Sequence, residues 1–443
     1  MAKTKTMPTQ IGSILGVMIL AYVMAKVAKL TVEISMFVSA LAGGLIGAFF
    51  GNPALGDIPR HLVEGSFTYL DVILVFSTAT IFMAIVSASG GVNYVVRTTV
   101  RYFYTKRIIA LLLLMVIILI PGALTGAGSI SLLVVGAPVA MALGLLGIPQ
   151  RRVAAILFIV AGLSAAAPPV NIWAMILTAG TAIPYVGFEL PLGIPVLLLG
   201  TFTVLVLGLK KERAMDLSQA LEKLPEVPAR MSWWRVSLPF IVFFGSVVAY
   251  RIWPFHFPVL GLPLEFTLAA VVAWLVSPKK ISFLALSRDT VKRLLPLLST
   301  IVIVGMLQQI MTATGVRGLL SFAVISTPLV ALFLSLAIVI PVSEGVLTYG
   351  AAAVIGIPLI WYLDSIGYHA TVAIAGLTLL WPLGDGLPPT ALIGRLSVMV
   401  SEYKDSYWTF LRSAWLPWIV ITIVGIAMVV FSARLEFLVR WSM

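Results

Sequence analysis

The chain of 443 residues contains no cysteine and only three histidines. Disulfide bonds and thiol chemistry are therefore excluded, and a zinc or haem site is not expected. The sequence also lacks a Gly-rich phosphate loop and a dinucleotide fingerprint, so no organic cofactor is expected. If the protein performs energised work, it depends on an ion gradient or on a partner that hydrolyses ATP.

Charged residues are equally scarce. They make up 10% of the chain, against 60% hydrophobic residues, whereas about a quarter of a soluble domain is charged. Many apolar runs reach the ~20 residues that cross a bilayer as a helix. The net charge of +12 is carried by short loops between these runs, which indicates orientation by the positive-inside rule and not nucleic-acid binding.

Two stretches of the chain repeat each other in one constant register. The positions that recur are prolines and glycines: Pro121, Pro138, Pro168 and Pro169 with Pro341, Pro358, Pro388 and Pro389, and Gly136 and Gly147 with Gly356 and Gly367. These residue types interrupt helices. Broken helices in matching places of two membrane repeats are the best sequence indication of a transporter's binding site.

The first repeat is predicted to cover residues 1–209. Its predicted elements are the spans 11–30, 34–50 and 72–96, a re-entrant hairpin over 108–148, a broken span over 153–183 and a span over 191–209. The loop 97–107 carries four basic residues and no acid, so it is expected in the cytoplasm, and the first hairpin is expected to open there.

A polar segment, residues 210–235, is predicted to form an amphipathic linker on the cytoplasmic membrane surface. The second repeat, 236–443, then follows the same plan. Its predicted elements are the spans 236–253, 260–276 and 294–313, a hairpin over 318–363, a broken span over 369–400 and a span over 414–432. Five spans and one hairpin per repeat give the two copies opposite membrane orientation.

The hairpin tips and Pro-Pro breaks are predicted to meet near the bilayer midplane. Exposed helix N-termini attract anionic groups, and freed carbonyls suit a hard cation such as Na⁺. The predicted substrate-binding residues are Thr125, Gly126, Ser129, Pro169, Asn171, Ser343, Thr348, Pro389 and Thr390. The predicted cation-binding residues are Thr125, Gly128, Ser129, Asn171, Glu344, Gly384, Asp385 and Thr390.

Several of these residues have a second interpretation. The small residues of the first tip, Thr125–Ser129, are also what close helix packing requires, and Asn171 is also a suitable helix cap. Glu344 and Asp385 are the acids predicted deepest in the membrane, where a charge is functional by default. Each is a candidate Na⁺ ligand, a proton carrier, or half of an ion pair with Arg395 or Arg317.

These patterns resemble a known family. The run Leu124-Thr125-Gly126-Ala127-Gly128-Ser129, followed by Gly136-Ala137-Pro138, Gly147 and Pro168-Pro169, is similar to the large membrane subunit of TRAP transporters, the DctM-like family. In the second half, Pro358, Gly367-Tyr368 and Gly384 to Thr390 resemble that family's second motif. Two departures are Val170-Asn171, where the family usually has serine after the prolines, and Glu344, which has no clear counterpart.

The resemblance implies an elevator transporter in a prokaryotic inner membrane, with a mobile domain that slides against a scaffold. It implies Na⁺-driven uptake of small organic anions such as dicarboxylates or sialic acid. It also implies two partners, a four-helix small membrane subunit and a periplasmic substrate-binding protein. The cation ligands would come from Thr125–Ser129 with Ala167–Asn171, and from the second tip with Gly384–Thr390.

The predicted function is therefore secondary active import of a small carboxylate with Na⁺. The alternatives are coupling to H⁺ through Glu344 or Asp385, a single-chain relative that needs no binding protein, and an ion channel. An enzyme is not expected, because no other convergent acid, base or nucleophile is found.

Overall fold

The computed structural model describes residues 2–210, 216–253 and 255–440, and these are helices joined by short connections without a β-strand. Nine helices within these residues are long and apolar enough to cross a membrane, or ten if the bent pair Tyr407–Ser413 and Trp415–Val430 counts as one span. The prediction of an all-α polytopic membrane protein is confirmed.

Eleven helices precede the linker. They are α1 Ala2–Val27, α2 Val32–Phe49, α3 Ile58–Ser66, α4 Leu70–Ala88, α5 Gly91–Phe103, α6 Arg107–Thr125, α7 Gly128–Ser131, α8 Ala137–Leu145, α9 Gln150–Ala166, α10 Ile172–Thr181 and α11 Glu189–Gly208. A π-helical segment, Leu132–Gly136, joins α7 to α8.

The linker contains the short helix α12, Leu217–Lys223, while residues 211–215 of the predicted amphipathic segment lie outside the described residues. The remaining helices are α13 Trp233–Ile252, α14 Leu262–Leu275, α15 Phe283–Ala313, α16 Val316–Ser326, α17 Leu329–Leu347, α18 Ile357–Ser365, α19 Ala370–Gly384, α20 Leu392–Val400, α21 Tyr407–Ser413, α22 Trp415–Val430 and α23 Phe437–Arg440. A second π-helical segment, Ala352–Gly356, precedes α18.

The register of the sequence repeat recurs in the backbone. The two π-helical segments begin and end at equivalent positions of the two repeats, and so do α8 and α18. Gly147 and Gly367 both adopt positive φ, +80° and +90°, after these helices. The repeated prolines and glycines therefore mark the same local structure twice.

The first hairpin consists of α6 and the limb from α7 to α8. The side chain of Arg107, at the open end, donates to the carbonyl of Leu146 at 2.5 Å and to that of Gly208 at 3.0 Å. Tyr104 donates to the carbonyl of Leu145 at 2.7 Å. The ends of the two limbs are thus joined, and the turn at residues 126–127 is the far tip.

The structure corrects two predicted boundaries. Residues 97–107 are not a loop, because the predicted span 72–96 breaks at Gly90 (φ +90°) and the chain continues as α5. The second hairpin does not begin at residue 318, because α16 is a separate helix and α17 starts after Pro328. Helix α5 has 13 residues and α16 has 11. Each is shorter than the ~20-residue apolar runs from which the spans were predicted, so neither was recognised as a separate helix.

The two repeats meet where α9 crosses α19. A methyl group added at Gly162 would lie 3.0 Å from Cβ of Pro382, its equivalent in the second repeat. A methyl group at Gly386 would lie 2.5 Å from Cζ of Phe158, so the helices run in opposite directions at this crossing. Gly162 and Pro382 occupy equivalent positions of the two repeats, so their contact lies at the pseudo-twofold axis that relates the repeats.

Close contacts at glycine residues hold each broken helix against its hairpin. A methyl group at Gly384, the last residue of α19, would lie 2.1 Å from the carbonyl oxygen of Pro341 in α17. At the equivalent place in the first repeat, a methyl group at Gly122 would lie 1.8 Å from Oγ of Ser164. Small residues at such crossings allow helices in membranes to approach closely.

We expect Gly384→Ala to lower the stability of the purified protein by about 1–3 kcal/mol, because the added methyl group collides with backbone and not with a movable side chain. The measurement is the apparent melting temperature in detergent.

The matched control is Gly144→Ala in α8, where nothing lies within 4 Å of the new methyl group. Alanine favours a helix over glycine by up to about 1 kcal/mol, so this variant should be at least as stable as the wild type. Equal melting temperatures for the two variants would contradict the close packing of α19 on α17.

Candidate cation and substrate site at the paired helix breaks

Each broken helix is interrupted at a Pro-Pro pair, and the peptide bonds Pro168–Pro169 and Pro388–Pro389 are both cis. The first N–H after each pair hydrogen-bonds to the neighbouring hairpin. Val170 N donates to the carbonyl of Ala123 at 3.0 Å, and Thr390 N donates to that of Gly345 at 3.3 Å. Each break and its hairpin are therefore one hydrogen-bonded unit, which satisfies backbone groups that lipid cannot.

The first tip is narrow and lined by small residues. Gly126 has φ +72° at the end of α6, a conformation that favours glycine. A methyl group at Gly128 would lie 2.3 Å from the carbonyl oxygen of Ala161. The hydroxyl of Thr125 donates to the carbonyl of Pro121 at 2.7 Å, while Ser129 is buried and its hydroxyl has no hydrogen bond among the described residues.

Asn171 caps α10. Its Oδ1 accepts from Ala174 N at 3.0 Å and its Nδ2 donates to the carbonyl of Ala166 at 3.1 Å. Its backbone N–H and the carbonyl of Pro169 both contact the hydroxyl of Tyr185 at 3.1 Å. The helix-cap interpretation of Asn171 therefore describes what the side chain does in this structure, and its role as a ligand stays a prediction.

The turn of the second hairpin falls at the far end of the predicted tip, which is Pro341–Gly345 extended to Thr348 and Tyr349. Ser343, Glu344 and Gly345 are inside α17, which continues to Leu347, and the turn occurs at Thr348 with φ +51°. A non-glycine residue at this φ stores about 1–3 kcal/mol of strain, which is typical of functional sites. The hydroxyl of Ser343 is used within the helix, where it donates to the carbonyl of Ile340 at 2.7 Å.

Two buried carboxyl groups lie beside the second break. Glu344 is 1% exposed and Asp385 is 7% exposed, and Asp385 directly follows Gly384, where an added methyl group would lie 2.6 Å from Cβ of Glu344. Nε1 of Trp173, on α10 of the other repeat, donates to Oε2 of Glu344 at 3.0 Å. The ring of Tyr349 packs on that of Trp173, with centroids 5.3 Å apart.

Neither carboxyl group has a basic partner within 4 Å among the described residues. Arg395 donates instead to the carbonyl of Pro389 at 3.0 Å. Arg317 donates to the carbonyl of Gly180 at 2.9 Å, and its guanidinium lies 4.1 Å from the ring centre of Trp361. The hypothesis of an ion pair with Arg317 or Arg395 is therefore wrong for this structure.

The acid pair breaks the internal symmetry. The equivalents of Glu344 and Asp385 in the first repeat are Leu124 and Ala165, which are buried and apolar. The first repeat thus presents hydroxyl and backbone groups at its break, while the second presents two carboxyl groups as well. Of these two pairs of equivalent positions, only the pair in the second repeat carries carboxyl groups.

The remaining predicted residues lie at the same break. Oγ1 of Thr390 donates to the carbonyl of Gly345 at 3.0 Å, and the carbonyl of Gly384 accepts from Leu387 N at 2.8 Å. Within the described residues, no group of three or more His, Cys, Asp or Glu side chains is placed to hold a metal ion. The local chemistry, two carboxyl groups with hydroxyl and carbonyl oxygens, suits a hard cation better than a metal that prefers thiolate or imidazole ligands.

Sequence reasoning missed Trp173, Tyr349 and Tyr185. Trp173 and Tyr349 are buried, and the first supports the acid pair from across the repeat interface. Several other tryptophans lie at helix ends, where an interfacial belt explains them; these are Trp233, Trp253, Trp408 and Trp415. Trp173 lies just after the Pro-Pro break. This position is the feature of the sequence that could have identified it as part of the site.

Comparisons with known proteins show the fold. No protein-family model and no curated relative matches the chain. Among solved structures, the YdaH transporter of Alcanivorax borkumensis is 15% identical, with a TM-score of 0.57 over 85% of this chain and 87% of that one. MtrF of Neisseria gonorrhoeae, described with a class of antimetabolite efflux pumps, is 13% identical, with a TM-score of 0.57 over 90% of this chain and 94% of that one. The chain therefore has a fold found in membrane transporters.

We expect Trp173→Phe to destabilise the protein more than Trp381→Phe, by about 1–3 kcal/mol. The first variant removes a hydrogen-bond donor from a buried carboxyl group, which is worth that amount. The second removes an Nε1 that is buried without a partner among the described residues. Both tryptophans are fully buried and lose the same atoms, so the difference between their melting temperatures isolates the hydrogen bond. Equal losses would show that Trp173 contributes packing alone.

Proposed function

We propose that the protein is a secondary active transporter that couples the movement of a small organic anion to Na⁺. The observation that carries this proposal is the buried pair Glu344 and Asp385, which has no basic partner among the described residues. Two carboxylates in a low-dielectric interior are costly unless a cation or protons compensate them. A cation that must bind there, and leave again, is what a coupled carrier requires.

The place of the pair supports coupling to a cargo. Glu344 lies on a hairpin, Asp385 follows a broken helix, and the donor Trp173 belongs to the other repeat. A cation between them would link elements that alternating access must move together. We propose that the cargo's carboxylate binds beside it at main-chain and hydroxyl groups of both breaks, with Thr125, Gly126, Ser129, Thr348 and Thr390 as the first candidates.

We further propose an elevator movement. The hairpins pack on the broken helices, α9 packs on α11, and α19 packs on α22, so these elements form one candidate mobile unit. Helices α1–α4 and α13–α15 pack mainly on one another, through α1 on α2, α4 on α14 and α3 on α15. That second group is the candidate scaffold against which the mobile unit slides.

Partners and location follow from the TRAP resemblance and are proposals as well. We propose a prokaryotic cytoplasmic membrane, a small four-helix membrane subunit and a periplasmic substrate-binding protein. Only 17% of the membrane-spanning windows of α1 and α13 is buried, which leaves lateral scaffold surface for a subunit. Co-purification with neighbouring gene products of those two kinds tests this, and full transport by the chain alone would favour the single-chain alternative.

The decisive experiment is uptake by proteoliposomes of radiolabelled succinate, malate and sialic acid. With the wild type we expect saturable uptake that follows an inward Na⁺ gradient. Glu344→Gln and Asp385→Asn should each lose at least about 90% of this Na⁺-driven uptake. Each variant removes a buried charge that is expected to contribute more than about 1.4 kcal/mol to cation binding, which corresponds to a tenfold change in affinity.

The matched control is Glu265→Gln, which changes another buried acid, on α14 of the scaffold, and should transport normally. A second measurement, the melting temperature in NaCl compared with choline chloride, needs no cargo. NaCl should raise the melting temperature of the wild type and of Glu265→Gln. It should not raise the melting temperature of Glu344→Gln or Asp385→Asn. Na⁺ stabilisation that survives in both site variants would refute the coupling role of the acid pair.

Other outcomes select among the alternatives. Uptake that ignores Na⁺ but follows a pH gradient and fails in Glu344→Gln would replace Na⁺ by H⁺. Ion currents much faster than a carrier cycle would indicate a channel. Because one structural neighbour is described with antimetabolite efflux pumps, the direction of net transport is tested by reversing the Na⁺ gradient.

A further inference from the structure

An apolar groove of about 370 Å³ opens on the side of the molecule, and neither the Pro-Pro pairs nor the two buried acids line it. Its walls come from both groups of helices. Met83 on α4 and Phe240 on α13 belong to the candidate scaffold, while Ile117 and Pro121 on α6 and Val135 in the first π-helical segment belong to the first hairpin. Ser237 is the one hydroxyl side chain among the lining residues, so the groove suits a hydrocarbon and not a polar cargo.

The length of the groove matches half a membrane. Along α13 the lining runs from Trp233 to Phe244, which is about 16 Å at 1.5 Å per residue. The hydrocarbon core of a bilayer is ~30 Å thick, so one leaflet supplies ~15 Å. An acyl chain of a single leaflet therefore fits the long dimension.

One end of the groove is polar and basic. A small adjoining pocket shares Val86, Gly91 and Val236 with the groove and adds Arg235. The half-buried guanidinium of Arg235 has no hydrogen bond or ion pair within the described part of the chain. The exposed residues Lys279 and Lys280 follow Pro278, which also lines the pocket.

Aromatic rings place this end at the membrane surface. The ring of Trp233 packs against that of Tyr94, with centroids 5.4 Å apart, and Trp233 and Trp234 are both more than half exposed. Tryptophan and tyrosine concentrate where hydrocarbon meets headgroups. The unpaired arginine therefore lies at headgroup level, while the apolar lining reaches towards the bilayer centre.

We propose that this groove is a binding site for one anionic phospholipid of the surrounding bilayer. Its acyl chain lies along α13 between the scaffold and the first hairpin, and its phosphate pairs with Arg235. Arginine binds phosphate through charge-assisted hydrogen bonds, and basic pockets between membrane helices recognise anionic lipid headgroups. This site is separate from the acid pair and does not depend on the proposed cargo.

The test uses the purified full chain in a mild detergent, with phosphatidylglycerol and phosphatidylcholine of identical acyl chains as probes. We expect native mass spectrometry to show one phosphatidylglycerol retained per chain. We also expect that lipid, but not phosphatidylcholine, to raise the melting temperature. Arg235→Gln should weaken phosphatidylglycerol binding by about tenfold, the effect of one lost charge-assisted contact, and Ser237→Phe should abolish it by filling the groove.

Two control variants separate the site from the general surface. Arg230→Gln removes an exposed basic residue that lines neither pocket, and Val248→Phe enlarges an exposed residue of α13 outside the groove. Both should bind phosphatidylglycerol like the wild type. Equal retention of the two lipids, unchanged binding in Ser237→Phe, or retention of a non-lipid hydrophobic compound in place of phospholipid would each overturn the proposal.

Discussion

The structure depends on one constraint: irregular backbone at membrane depth must find its hydrogen bonds inside the protein. The chain meets it twice, by pairing the N–H after each Pro-Pro break with a carbonyl of the adjacent hairpin, Val170 with Ala123 and Thr390 with Gly345. A break without its hairpin, or a hairpin without its break, would leave those groups unsatisfied. The two elements therefore occur together, and glycines at their contacts follow from how closely the backbones must approach.

The same constraint explains why binding groups collect at this place. Helices that end in mid-membrane leave unpaired carbonyl and N–H groups, and the pseudo-twofold crossing of Gly162 and Pro382 brings both sets together. The duplication supplies two frames with related backbones, and their side chains differ at the tips and breaks, for example Ser129 against Tyr349 and Asn171 against Ala391. Leu124 and Ala165 in one repeat stand where Glu344 and Asp385 stand in the other, so carboxyl groups are present at the second break and absent from the equivalent positions of the first.

Much of this architecture was predictable because prolines and glycines act locally. The constant register between the repeats located both Pro-Pro breaks and the first tip, while the π-helical segments at equivalent positions were found only in the structure. The second tip was predicted only as a long stretch, Pro341–Gly345 extended to Thr348 and Tyr349, because proline did not mark where the helix ends: Pro121 and Pro341 both lie within helices. The contact of Trp173 with Glu344 spans 171 residues, and no local pattern in a single sequence encodes such a pairing. The absence of an arginine partner for the two acids is equally a property of packing, since Arg317 and Arg395 donate hydrogen bonds to backbone carbonyl groups instead.

The first hairpin also connects the two proposed sites. Pro121 lines the apolar groove, and its carbonyl accepts a hydrogen bond from the hydroxyl of Thr125, which lies one turn further along α6 at the tip. Packed helical limbs do not deform continuously, so a displacement of α6 at the groove must move the tip with it. A lipid that fills the groove therefore contacts the scaffold and the hairpin at once, and its binding energy stabilises the relative position in which both walls touch it. Any movement of the hairpin past α13 must then release, exchange or carry that lipid, which makes the bilayer's anionic lipid content a determinant of the transport cycle.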